Sequence, residues 1–169
     1  MALDDEKALS FVTAKRDALL QQAKTLQIST SSDSGDNIEW GVAPYIRRNN
    51  VFYIYVSELG GHVRFMLDKR PVLFSIIEDE KAATNIWARV RLKFTAEVSE
   101  IKRGGAEFNI LCDEIAIHHG PVMSVIRKFS DFHLFAINPN KGVIVTGFGS
   151  AFNVIGNDFR LESRLLSNG

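Results

Sequence analysis

The chain has 169 residues, 46% hydrophobic and 24% charged, the make-up of one ordinary folded domain and not of a disordered chain. Lys plus Arg and Asp plus Glu number 20 each, so the formal net charge is zero, which argues against nucleic acid or a membrane surface as partner, since both select a basic excess. The one cysteine, Cys112, excludes an intrachain disulfide and a multi-cysteine metal site.

No apolar run approaches the ~18 residues of a membrane span. The first ten residues, MALDDEKALS, are acidic and hold no signal-peptide core, so a cytoplasmic location is expected. Residues 4–25 read as a helix, with Asp4 or Asp5 as cap and an apolar stripe through Leu9, Val12, Leu19 and Ala23. The period then changes to two. Strands are expected over 26–30, 38–46 and 51–56, joined by the turns SSDSGDN and RRNN. In the second strand Ile38, Trp40, Val42, Pro44 and Ile46 share one side, and Glu39, Gly41, Ala43 and Tyr45 the other.

Gly60-Gly61 opens a short helix over 62–69, and Pro71 suits the start of a strand over 72–77. The clearest strand is 89–101. Val90, Leu92, Phe94, Ala96 and Val98 face one way, and Arg89, Arg91, Lys93, Thr95 and Glu97 the other. A helix over 106–117 and a turn or helix near 122–129 follow. Two last strands, 131–137 and 142–155, are joined at Pro139-Asn140, and residues 157–169 form a short polar tail. The chain therefore reads as a single, mainly β domain, a small barrel with short helices spanning 26–155 behind an N-terminal helix. It lacks a dinucleotide-type glycine turn, a P-loop, a zincin helix and a nucleophile elbow.

Several residues carry two readings. Arg89, Arg91 and Lys93 form a ladder that suits phosphate or carboxylate, or else the wet side of a half-buried strand. Ser57 ends a strand before Gly60-Gly61, so it joins either an anion-holding turn or an ordinary one. His62 is a ligand candidate or a packing histidine, and His118-His119 read as a helix end. His133 alternates with Phe132 and Leu134, so one edge of it faces a cavity or a subunit interface. Tyr45 and Tyr55 line a slot for a flat ring or fill the core. Asp131 is a turn residue or a buried acceptor. Cys112 reads as an inert core thiol.

The stretches TLQIST, GVAPYI, FYIYVSELGGH, IIEDE, WARVRLKF, SDFHLF and GVIVTGFGSAF occur in that order from Thr25 to Val154. Together they resemble the FMN-binding split-barrel superfamily that includes pyridoxamine 5′-phosphate oxidase, and within it the haem-utilisation proteins of the HugZ/HutZ type. That resemblance implies an FMN-binding-type split β-barrel, a homodimer with two cofactor clefts at the subunit interface, and haem or FMN as cofactor. Ser57, His62, Arg89 and Arg91 fall where flavin-binding relatives hold phosphate, and Tyr45 and Tyr55 would lie along the ring. Asp131 matches an aspartate that positions an axial ligand or water in the haem branch. The iron-ligating histidine of that branch lies in a C-terminal extension, and residues 157–169 contain no His, Met, Cys or Tyr. This leaves His133 or His62 as the candidate axial ligand. Phe65 stands where the branch has asparagine. The implied function is haem binding, with haem degradation or handling. An FMN-dependent oxidoreductase and a non-enzymatic carrier or degenerate member are the alternatives.

Overall fold

The computed structural model describes residues 2–156 and 158–165, with side chains from Glu6 onward. The acidic cap expected at Asp4 or Asp5 lies outside the described side chains. The order is α1 (Ala2–Gln22), β1 (Thr25–Ser31), β2 (Ile38–Arg48), β3 (Val51–Ser57), α2 (Gly61–Leu67), β4 (Val72–Ile77), a 3₁₀ turn (Ile86–Ala88), β5 (Arg91–Ile101), α3 (Ala106–His119), α4 (Met123–Ile126), β6 (Phe132–Gly147), β7 (Ser150–Ile155) and β8 (Arg160–Arg164). Among the described residues no helix is long and apolar enough to cross a membrane.

The strands form one sheet in the order β3-β2-β1-β4-β5-β6-β7-β8, and β3 also pairs with β6. That extra pairing closes six strands into a barrel and leaves β7 and β8 as an extension of its wall. The turn between β2 and β3 needs two residues with positive φ, and Asn49 and Asn50 supply them at 48° and 64°. The alternation expected in β5 is observed: Leu92, Phe94, Ala96 and Val98 point into the barrel, with Arg91, Lys93, Thr95 and Glu97 outside.

Two apolar cores result. Inside the barrel, Phe52, Phe74 and Phe94 stack with Leu26, Ile28 and Ile54. Outside it, α3 lays Phe108, Leu111, Cys112 and Ile115 over Ile46, Tyr55 and Leu134. Cys112 is buried there as the sequence suggests, and burial pushes its thiol pKa up.

Two boundaries differ from the sequence reading. The hairpin between β6 and β7 turns at Phe148-Gly149, where Gly149 has φ of 63°, and not at Pro139-Asn140. Pro139 sits inside β6, opposite a register shift between Thr95 and Ala96, a place where a missing N–H breaks no ladder. The polar tail, where it is described, is anchored to the barrel. Phe159 is 2% exposed and packs its ring against Phe94 at 5.3 Å, while Arg160–Arg164 adds strand β8. Arg16 donates to the Phe159 carbonyl and so ties α1 to this plug.

β5 and β6 approach so closely at Gly142 that a Cβ there would overlap the Lys93 carbonyl and the Phe94 ring. Gly142→Ala should lower stability by about 1–3 kcal/mol through overpacking. A urea midpoint that falls at unchanged slope checks this.

Candidate functional site

Strand pairing fixes which side chains share the outer face of the barrel. Paired residues lie on the same side of a sheet. Trp40 pairs with Ser29, Ser29 with Leu73 and Leu73 with Thr95. One row along, Val42 pairs with Gln27, Gln27 with Ser75 and Ser75 with Lys93. Ile77 and Arg91 pair in the row beyond. These rows form one surface across β2, β1, β4 and β5. Its β2 edge is an apolar plate, with Ile38 72% and Trp40 69% exposed. Its β5 edge carries the exposed cations Arg91 and Lys93.

The plate is uncovered because α3 reaches only the far end of β2. Ile46 lies on the same side as Trp40 by alternation, yet it is 3% exposed under α3. Beside the open part of the face is a cavity of about 980 Å³ between α1, the sheet and residues 78–90. Lys15, Leu19, Gln27, Val42, Ser75 and Arg89 contribute to its wall. Its volume is that of a small-molecule site.

The expected ladder of three cations divides. Arg89 precedes β5, and its guanidinium donates to the Glu78 carbonyl (Nε at 2.8 Å) and pairs with Glu80 at 3.2 Å. The Glu78 carboxylate meanwhile accepts from the Val90 amide at 3.0 Å, and Asp79 accepts from the Lys81 amide at 2.8 Å. The Glu-Asp-Glu run is thus a loop built around Arg89. Arg91 and Lys93 remain on the outer face, where Arg91 makes a long contact of 3.3 Å to the Arg89 carbonyl.

The other expected residues gather elsewhere. The β3–β6 ladder puts Ser57 beside Phe132, and the Ser57 hydroxyl donates to the Asp131 carboxylate at 2.6 Å. The Ser57 oxygen also accepts from the Leu59 amide at 3.1 Å. Asp131 is therefore both a turn residue, as the sequence suggests, and a half-buried hydrogen-bond acceptor. His133 is held at Nδ1 by Glu100 (2.8 Å) and at Nε2 by Glu58 (2.6 Å). As an imidazolium held by two carboxylates the ring offers no lone pair, which counts against its reading as an axial ligand. Glu58 and Glu100 were not singled out from sequence, because nothing local links them to a histidine over thirty positions away.

Tyr45 and Tyr55 do not make one platform. Tyr45 points into the barrel core, where burial pushes its hydroxyl up to about 12. Tyr55 lies under α3, and its hydroxyl accepts from Arg103 at 3.0 Å. His62 is 6% exposed on α2. Its ring rests on Gly41 and Gly60, where any Cβ would overlap it, and the Glu39 carboxylate fills the equivalent space at Gly61. Both ring nitrogens are buried with no partner among the described residues. Within one chain His62 is thus placed as a packing histidine.

Within one chain the predicted residues form two groups. Arg91 pairs with Val145 at one end of β5, and Ile101 pairs with Leu134 at the other. The ends are roughly 33 Å apart along an extended strand. Ser57 and Asp131 belong to the second end.

Comparison with known proteins matches this barrel. Heme oxygenase HutZ of Vibrio cholerae serotype O1 is 31% identical over 156 residues, covering 88% of this chain and 88% of its own. The chain belongs to the HutZ-type haem-utilisation family. Campylobacter jejuni ChuZ superposes with a TM-score of 0.76 at 25% identity, over 92% of this chain and 67% of that one. A pyridoxinephosphate oxidase family protein from Clostridium acetobutylicum shares the fold alone, with a TM-score of 0.64 at 8% identity over 89% of this chain and 98% of that one. No family model matches. Membership confirms the split-barrel class expected from the ordered motifs, which map onto β1, β2, β3 with α2, β4, β5 and β6 with β7.

Burial pulls the His62 pKa below its ordinary 6.5, and the nearby Glu39 charge only partly opposes this. The unfolded chain then takes up this proton first. The His62 contribution to stability is full above about pH 6.5 and declines as pH falls below it. His62→Gln should flatten that part of a stability–pH profile measured by urea unfolding. An unchanged acid limb would show that His62 does not set it.

Proposed function

We propose that the chain binds haem on the outer face of the barrel, at an interface between two copies of itself, and serves haem utilisation. The observation that carries this reading is the pairing of an uncovered apolar plate with two cations on one sheet face. A porphyrin needs a flat apolar surface for its ring and positive charge for its two carboxylates. Ile38, Trp40, Val42 and Leu73 supply the first, and Arg91 and Lys93 the second. The membership in a family with a heme oxygenase supports the same ligand. None of the four histidines lies on this face, so the fit is to the ring and its carboxylates.

A second copy is called for by the same surface. Apolar side chains this exposed and this contiguous mark an interface. The Arg91 end and the Ser57–Asp131 end, separated in one chain, are brought together when a twofold axis runs two barrels in opposite senses. When bound, haem would supply an iron centre capable of oxygen chemistry. The residues of the chain bind and orient: Trp40 and Val42 exclude water, Arg91 and Lys93 hold carboxylates, and Asp131 holds the Ser57 hydroxyl. The flavin reading is weaker on geometry. Two of the four groups expected to hold its phosphate are engaged within the protein, Ser57 by Asp131 and Arg89 by Glu78 and Glu80.

Hemin titration followed at the Soret band tests the reading. Arg91→Ala should weaken binding by about 1.5–3 kcal/mol, roughly 10–150-fold, while the variant stays dimeric. Trp40→Glu should give monomers by light scattering and lose hemin binding. Unchanged affinity in both variants, or a yellow preparation that releases a fluorescent flavin on acid treatment, would overturn it.

A further inference from the structure

His133 carries a constraint that does not depend on any ligand. A neutral imidazole has one N–H and one lone pair, and a carboxylate can only accept. Two carboxylates therefore hold both nitrogens, at 2.6 and 2.8 Å, only when the ring is imidazolium. The side chain is 17% exposed, so these partners are not readily replaced by water.

The groups around it come from four elements. Glu58 lies on the turn after β3, and Glu100 lies on β5, where Lys102 also pairs with it. Asp131 lies just before β6 and is committed to Ser57. Arg103 donates to the Phe132 carbonyl next to the histidine, at 2.8 Å. Lys102 and the deeper position of Glu100, 22% exposed against 55% for Glu58, hold that partner in place when the ring loses a proton. Among the described residues Glu58 has no second cation, so it is the contact that opens.

Glu58 is part of a turn fastened to β6 at two points. Asp131 takes the Ser57 hydroxyl through its carboxylate and the Glu58 amide through its carbonyl, at 2.6 and 2.9 Å. His133 takes the Glu58 carboxylate. The turn also carries Leu59, which is 94% exposed. We propose that His133 is a proton-operated clasp, which as imidazolium fastens the Ser57–Gly61 turn to β6 and on deprotonation releases Glu58 while Asp131 keeps Ser57 in place.

Burial pulls the His133 pKa down, but the hydrogen bonds and charges of Glu100 and Glu58 outweigh it and the net value lies above the ordinary 6.5. The clasp is therefore closed below pH 6.5 and opens on the alkaline side of it, as pH passes through the folded value. The device rests on the chain alone and stands whether or not haem binds.

NMR of the full chain tests it, following the His133 ring and the amides of Glu58, Leu59 and Gly60 across pH. In the unaltered protein the three amides should shift with the midpoint of the His133 ring. Leu59 and Gly60 should lose roughly tenfold or more of their protection from exchange, corrected for the intrinsic rate. Glu58→Gln, which keeps the Asp131 links, should lower the His133 midpoint and remove the coupled step. His133→Gln should show the released level of protection at every pH. Turn amides that ignore the His133 midpoint, or that keep the step in His133→Gln, would overturn the proposal.

Discussion

The pairing of β3 with β6 is the contact on which the architecture depends. Without it the sheet would be an open ribbon with two long edges. With it, six strands enclose a core of phenylalanines, and the residues at the end of the seam are brought together. Ser57 and Phe132 are the last pair of that ladder. The Ser57–Asp131 and Glu58–His133 contacts are direct consequences of where the seam ends. Polar groups collect there because both strands stop and their last side chains need partners.

The outside of the barrel is treated in two ways. Over β3, β6 and the end of β2, α3 and α4 supply a second apolar layer, so Ile46, Tyr55 and Leu134 are buried. Over β1, β4 and the first part of β2 no helix among the described residues supplies that layer, and Ile38, Trp40 and Leu73 stay exposed. A sheet face of this composition is not what water alone selects, since half-buried antiparallel sheets carry polar residues outward. The two halves differ because α3 is inserted after β5 and folds back only over the closing seam.

Much of the fold was legible because it is written in short-range periodicity. The strict alternation of β5, the Asn49-Asn50 turn and the apolar face of α3 all follow from neighbours within one element. The site was less legible. Ser57 and Asp131 lie 74 positions apart, and only the closure of the barrel brings them into contact. Arg89 looked equivalent to Arg91 because alternation alone gives them one face, but a loop of the protein's own carboxylates and carbonyls takes the first and leaves the second. The placement of Phe159 in the core was hidden by a polar neighbourhood, Asn157-Asp158 before it and Arg160 after it. A single aromatic residue in such a run carries no period to read.

The glycines of β2 and the β3–α2 turn show how the open face and the interior are joined. Gly41 and Gly60 leave room for the His62 ring, and Gly61 leaves room for the Glu39 carboxylate. An imidazole buried with both nitrogens unpaired costs about 1–3 kcal/mol relative to a satisfied one. Close packing of α2 against β2 has to offset that. Trp40 and Val42, the outward neighbours of Gly41, sit on the opposite side of the same strand. A side chain at Gly41 would push His62 inward or β2 outward, and in the second case it would tilt the apolar plate itself. The position of the exposed face is therefore set from inside the barrel, by the space these glycines leave.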